Sequence, residues 1–131
     1  VAVIKAGVVS KLLQSQFATG EEVSKSDTSP VTVADFAVQG IVLHFLHSAF
    51  PNDRFIAEES STALRKDAEL TESVLTAVNS VMPVPDHLTD EDLFRTIDLG
   101  GHSGGDGART WILDPVDGTK GFMRGEQYCI A

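Results

Sequence analysis

Hydrophobic residues recur at helical spacing from the first position: Val1, Ile4, Val8 and Leu12, with Val9 and Leu13 beside them, predict an amphipathic helix. A polar stretch rich in Ser, Thr, Glu and Lys covers residues 19 to 31 and reaches Ser29-Pro30, a turn signature. The next helix is predicted to start at Thr32 as N-cap, with Asp35 in the capping-box position. Val33, Phe36, Ala37, Ile41, Val42, Phe45 and Leu46 give that helix a broad apolar face, and Pro51 stops it by residue 50. Phe55-Ile56-Ala57, bounded by polar residues, predicts a brief buried strand ending at Glu58. A third helix is expected from Ala68 to Met82, with Leu70, Val74, Leu75, Val78 and Val81 on one side and Pro83 and Pro85 beyond its end. Thr89 with Asp92 caps a fourth, running through Leu93, Phe94 and Ile97 to about Leu99. Five of the eleven glycines fall in Gly100 to Gly107, which reads as a mobile connector. Thr110-Trp111-Ile112-Leu113 is then a strong strand, and Tyr128-Cys129-Ile130-Ala131 reads as the start of another.

Composition narrows the possibilities. With 131 residues the chain is one ordinary domain or half of a larger one, and neither internal repeat nor linker divides it. Hydrophobic residues at 42% and charged residues at 22% exclude disordered and collagen-like chains. Gln39, His44 and His47 interrupt the longest apolar helical stretch, so no run of about 18 apolar residues predicts a membrane span. The net charge of -9 argues against a nucleic-acid polymer or an anionic membrane surface as partner. Residues 53 to 98 alone hold eleven acids against four bases, the pattern of solvated helix faces. Cys129 is the sole cysteine, which excludes an internal disulfide and fits a reducing compartment. A cytoplasmic location is favoured on that ground. The start at Val1 and the stop within an incipient strand read as cut ends, so a targeting peptide and an organellar location stay open.

The candidate chemistry is acidic. In Asp114-Pro115-Val116-Asp117-Gly118-Thr119, two carboxylates three residues apart come after a hydrophobic strand, with proline restricting φ between them and glycine freeing the turn behind them. Asp114, Asp117 and the carbonyl of Val116 are hard oxygen ligands of the kind Mg²⁺ takes, and a helix starting at Gly118-Thr119 would direct free N–H groups at an anion. Asp-Pro and Asp-Gly also simply build turns. Glu58-Glu59 after the first strand and Asp35 early in a helix have ordinary readings too, as a solvated pair and a helix cap. Together they place carboxylates at several element ends with neither Cys nor His clusters as alternative metal ligands. Gathering them costs like-charge repulsion unless divalent cations sit between them. His44 and His47 read as core or surface residues. Neither G-x-G-x-x-G nor G-x-x-x-x-G-K-[ST] occurs, and the aspartate spacing does not fit an EF-hand.

These motifs, with Trp111-Ile112-Leu113 before the aspartates, Ala57-Glu58-Glu59-Ser60 and Pro30-Val31-Thr32-Val33-Ala34-Asp35, resemble the lithium-sensitive, magnesium-dependent inositol monophosphatase superfamily. Lys25-Ser26-Asp27-Thr28-Ser29-Pro30 and the stretch from Lys120 to Tyr128 are similar to its 3'(2'),5'-bisphosphate nucleotidase branch in fungi and plants. The resemblance implies an α/β (α+β) fold, the N-terminal part of a layered helix and sheet sugar phosphatase, with an antiparallel or mixed sheet flanked by helices. Residues 1–131 would be the N-terminal, metal-binding catalytic portion of a larger enzyme, its C-terminal portion absent. By the same resemblance Glu58, Asp114, the Val116 carbonyl and Asp117 match ligands for two or more Mg²⁺ ions, Asp35 and Thr119 match the dyad that activates water, and Gly118 and Thr119 meet the substrate phosphate. The implied reaction removes the 3'-phosphate of 3'-phosphoadenosine 5'-phosphate to give AMP and phosphate, a step tied to sulfur assimilation, with 3'-phosphoadenylyl sulfate as a related substrate. Rival readings are an inositol phosphate phosphatase on the same fold, an aspartyl-phosphate phosphatase, whose two aspartates stand two rather than three apart, and a catalytically silent metal or nucleotide sensor.

On this reading, residues 1–131 expressed alone are expected to bind divalent cations weakly, to hydrolyse no bisphosphate nucleotide and to be prone to aggregation. Assays of activity, oligomeric state and unfolding cooperativity check this, and an active, cooperatively folding monomer would show the catalytic unit to be smaller.

Overall fold

A computed structural model describes residues 1–18, 30–105 and 107–131. The polar stretch up to Ser29, with Lys25 to Ser29 of the branch-specific motif, lies outside the described residues. Helices α1 (Ala2–Ala18), α2 (Pro30–Ala49), α3 (Ala68–Asn79), α4 (Asp90–Asp98) and α5 (Thr119–Met123) accompany two strands, β1 (Arg54–Ala57) and β2 (Thr110–Leu113). Short 3₁₀ turns lie at Leu64–Lys66 and Val84–Asp86.

The centre is α2, which meets α1, α3, α4 and α5. From Val33 to Leu43 it is buried nearly all round, with Asp35 half-buried, which is how a helix apolar on every side is accommodated. It begins three residues earlier than expected: Pro30 takes the start of the helix, where its missing N–H is no loss, so Thr32 lies within the first turn instead of preceding it. On α1 only part of the predicted apolar set is buried: Val9 and Leu13 face inward with Ala6 and Ser10, while Val1, Ile4, Val8 and Leu12 are turned outward, Ile4 73% and Leu12 56% exposed. That face packs against α2, and the Ser10 hydroxyl pairs with that of Tyr128 at 2.8 Å. The α3 helix starts with the Asp67 side chain accepting from Leu70 N–H at 3.0 Å. It stops at Asn79, short of Met82, because the Asn79 side chain exchanges two hydrogen bonds with the Leu88 backbone, at 3.0 and 2.9 Å, and the chain turns there. At α4 the capping box of Thr89 and Asp92 forms as predicted, and the hydrogen bonds from Thr89 hold the Asp92 carboxyl below its ordinary range.

Strands β1 and β2 pair in parallel, Arg54 with Thr110 through to Ala57 with Leu113. Parallel neighbours need a long crossover, and α3 and α4 lie within it. On β1, Ala57 N–H donates to the Gly100 carbonyl at 2.9 Å and the Phe55 carbonyl accepts from His102 N–H at 3.2 Å, with an antiparallel bridge between Ile56 and Gly101. The sheet of the described residues is thus small and parallel, with one isolated antiparallel bridge beside it, and the mixed helix and strand class is the one expected. The start of the glycine-rich segment is not a free connector but lies hydrogen-bonded along β1. At the opposite strand ends, Asp53 accepts from Arg109 Nε at 2.6 Å and Trp111 Nε1 at 2.7 Å, while the Arg109 guanidinium lies 4.4 Å from the Phe50 ring centre.

Gly100 sits where chain segments converge. A Cβ there would stand 2.7 Å from that of Ala57 and 3.2 Å from the Gln39 amide nitrogen. Gly100→Ala is expected to cost about 1–3 kcal/mol, read as a lower midpoint in urea unfolding.

Candidate active site

Because β1 and β2 run the same way, the residues after each emerge at one edge: Glu58 and Glu59 from β1, Asp114 from β2. Asp35 on α2 faces the same region. Its half-buried carboxyl is pushed up to about 7, first by loss of hydration and then by the negative charges of Glu59, Glu58 and Asp114. Burial, followed by the charge of Glu58, also raises Glu59. Two further sequence candidates, Glu58 and Asp114, are thus within electrostatic reach of Asp35, together with Glu59.

The turn carrying the glutamates is tied down by neighbours. Gln39, fully buried and one turn along α2 from Asp35, bonds both the N–H and the carbonyl of Glu59. Beyond it, Ser61 donates from its N–H and hydroxyl to the two carboxylate oxygens of Asp98, at 2.8 and 2.7 Å, and receives Arg65 Nε at 3.0 Å. Sequence reading missed Gln39 and Asp98 as parts of the site. The signal for Gln39 was a polar side chain inside an otherwise apolar helical run. For Asp98 there was none, since it ends an ordinary acidic helix.

The second acidic segment is held from its far side. Asp114 and Asp117 make reciprocal backbone hydrogen bonds with Ala131 and Cys129, at 2.6 to 3.0 Å, so the end of the chain pairs with this loop rather than opening a free strand. Pro115 and Val116 point inward, leaving Asp114 and Asp117 exposed. Gly118 has φ of +92°, a left-handed turn suited to glycine, and α5 begins at Thr119. The Thr119 hydroxyl donates to the Val116 carbonyl at 3.2 Å, and among the described residues no hydrogen bond joins it to Asp35. Asp117 accepts from the Cys129 thiol at 3.6 Å and is not among the charges acting on Asp35. Burial and the neighbouring aspartates push the thiol up.

Among the described residues no three His, Cys, Asp or Glu side chains are close enough to hold a metal ion. The donor set nonetheless fits a hard divalent cation by its chemistry: oxygen atoms alone, with carboxylates whose mutual repulsion a cation would relieve. No helix among the described residues is long and apolar enough to cross a membrane.

Clustered carboxylates at the shared edge of a parallel strand pair, on a helix-covered scaffold, accord with comparison to known proteins. Residues 1–131 match the inositol monophosphatase family model, and the chain belongs to that family. It is similar to 3'(2'),5'-bisphosphate nucleotidase 1 of Candida albicans (strain SC5314), 38% identical over 98% of this chain. The 3'(2'),5'-bisphosphate nucleotidase of Schizosaccharomyces pombe is 39% identical over 94% of it, and 3'(2'),5'-bisphosphate nucleotidase 1 of Arabidopsis thaliana 44% over 82%. The matches cover 38%, 36% and 33% of those relatives, so the chain spans well under half of their length.

The raised proton affinity of Asp35 has a thermodynamic consequence. With a folded value of about 7 against 3.8, the folded state binds more protons than the unfolded state between those limits, so stability falls as pH rises through that window. In chelator-treated protein, Asp35→Asn is expected to raise the unfolding midpoint at pH 8 and to give no gain below about pH 4. Equal gains at both pH values in denaturant titrations would contradict this account.

Proposed function

We propose that the complete protein hydrolyses the 3'-phosphate of 3'-phosphoadenosine 5'-phosphate to AMP and phosphate in a Mg²⁺-dependent reaction. The observation that carries the reading is the acidic edge where Glu58, Glu59 and Asp114 leave the parallel strands, with the half-buried Asp35 carboxyl beside it as proton acceptor. The names of the similar fungal and plant proteins supply the substrate class. Glu58, Asp114, the Val116 carbonyl and Asp117 would hold Mg²⁺, which supplies positive charge to an anionic substrate on an acidic protein and Lewis-acid stabilisation of the phosphoryl oxygens. The chain's own residues do the remaining work. Asp35 accepts the proton of the attacking water as the new P–O bond forms, and as the bond to the 3'-oxygen breaks that oxygen takes a proton from solvent to become the free hydroxyl of AMP. The Thr119 hydroxyl, turning from Val116, orients that water, and the N–H groups at Gly118 and Thr119 face the phosphate.

An inositol phosphate phosphatase is the second reading, supported by the family match. Phosphate release by the full-length protein from the bisphosphate nucleotide and from inositol phosphates, side by side, separates the two, and absence of release from both would leave a silent sensor. Hydrolysis of a substrate chiral at phosphorus is expected to invert its configuration, the mark of one direct displacement by water, whereas net retention would mark an aspartyl-phosphate enzyme.

Glu58→Ala, Asp114→Ala and Asp117→Ala are each expected to abolish most Mg²⁺-dependent turnover in folded protein. Thr119→Ala should lower kcat by about 10²-fold or more with a small change in KM. Lithium is expected to inhibit. Near-normal turnover in Asp114→Ala, or a Thr119→Ala effect confined to KM, would overturn these assignments.

A further inference from the structure

Gln39 is wholly buried on α2, four residues after Asp35 and so on the same face one turn along. Its Nε2 donates to the Glu59 carbonyl at 2.8 Å and to the Ile97 carbonyl at 3.1 Å, and its Oε1 accepts from Glu59 N–H at 3.0 Å. The residue thus grips Glu59 through both backbone polar groups and ties it to the end of α4. The bare Cα of Gly100 leaves room for the amide, since a Cβ there would lie 3.2 Å from Nε2. An apolar side chain of similar length would fill the same space but leave the Glu59 N–H and the Glu59 and Ile97 carbonyls without the amide as partner. A buried amide carries a desolvation cost that only well-made hydrogen bonds offset, and those bonds end on the segment that carries Glu58 and Glu59.

We propose that Gln39 is a positioning residue: through Glu59 it sets the glutamate-bearing turn after β1 at a fixed height against Asp35, and so holds the carboxylates ready for a divalent cation. This rests on the metal-dependent reading of the site. Gln39 touches neither substrate nor cation, and its effect passes through the backbone of the turn. Outer groups that orient metal ligands commonly change metal affinity by about 10–100-fold when removed.

The experiment uses full-length protein, with Mn²⁺ affinity measured by calorimetry and hydrogen exchange followed at the Glu59 amide. Gln39→Met removes the amide at similar length. Gln39→Asn keeps it but draws it back by one methylene, and remains available should the first variant not fold. Val74→Ala, a core truncation on α3, controls for lost stability. In the Gln39 variants, Mn²⁺ binding is expected to weaken roughly tenfold or more and Glu59 exchange to quicken, with neither change in Val74→Ala. Unchanged Mn²⁺ affinity or unchanged Glu59 exchange in the Gln39 variants overturns the proposal, as does recovery of wild-type affinity in Gln39→Asn or an equal loss in Val74→Ala. None of these touches the proposed reaction, which wild-type turnover tests separately. Wild-type protein that neither binds Mn²⁺ nor releases phosphate would overturn the reading of the site, and this inference with it.

Discussion

Parallel pairing of Arg54–Ala57 with Thr110–Leu113 brings the segments that leave the two strands out at the same edge. Glu58-Glu59 leaves β1 there and Asp114 leaves β2, and α2 adds Asp35. An antiparallel pair would have sent the two acidic segments to opposite ends. The cost is visible in Asp35, whose proton affinity rises because hydration is lost and three negative charges lie nearby. A scaffold that accepts such repulsion has a stability that depends on pH in the window where Asp35 titrates.

Holding like charges together requires the segments that carry them to be fixed from outside. Two buried or half-buried polar contacts do this after β1: the Gln39 amide on Glu59 and the Asp98 carboxylate on Ser61. Both anchors sit on helices packed within the core, so the position of the turn is set by helix packing rather than by its own local preferences. Well-satisfied buried hydrogen bonds are directional in a way that apolar contacts are not, which suits them to setting a turn's height.

After β2 the restraint is backbone pairing with residues 129 to 131, and the outcome differs. Asp114 stays within reach of Asp35, while Asp117 turns toward Cys129 and Thr119 toward the Val116 carbonyl. The aspartate loop thus divides between a part already joined to the acidic edge and a part engaged with its own neighbours. A carbonyl oxygen has two lone pairs, so the Thr119 contact leaves Val116 with further acceptor capacity.

Much was legible in the sequence. Thr89 and Asp92 carry their capping chemistry locally and form as read. The short apolar runs at Phe55 and Trp111 are strands, and Asp114-Pro115-Val116-Asp117-Gly118-Thr119 needs only a strand before it and a left-handed glycine within it to adopt its turn. Such features depend on near neighbours, which sequence contains. Tertiary structure decided the remainder. Spacing shows that α1 has apolar stripes but not which of them meets α2, because that depends on how closely two backbones can approach. Strand direction is invisible in a four-residue apolar run, since parallel and antiparallel ladders accept the same side chains. Asn79, Gln39 and Asp98 bond to backbone groups 9, 20 and 37 residues away, and no local pattern marks such partners. The proton affinity of Asp35 belongs to the same class, because it is set first by burial and then by charges brought near only in the folded chain.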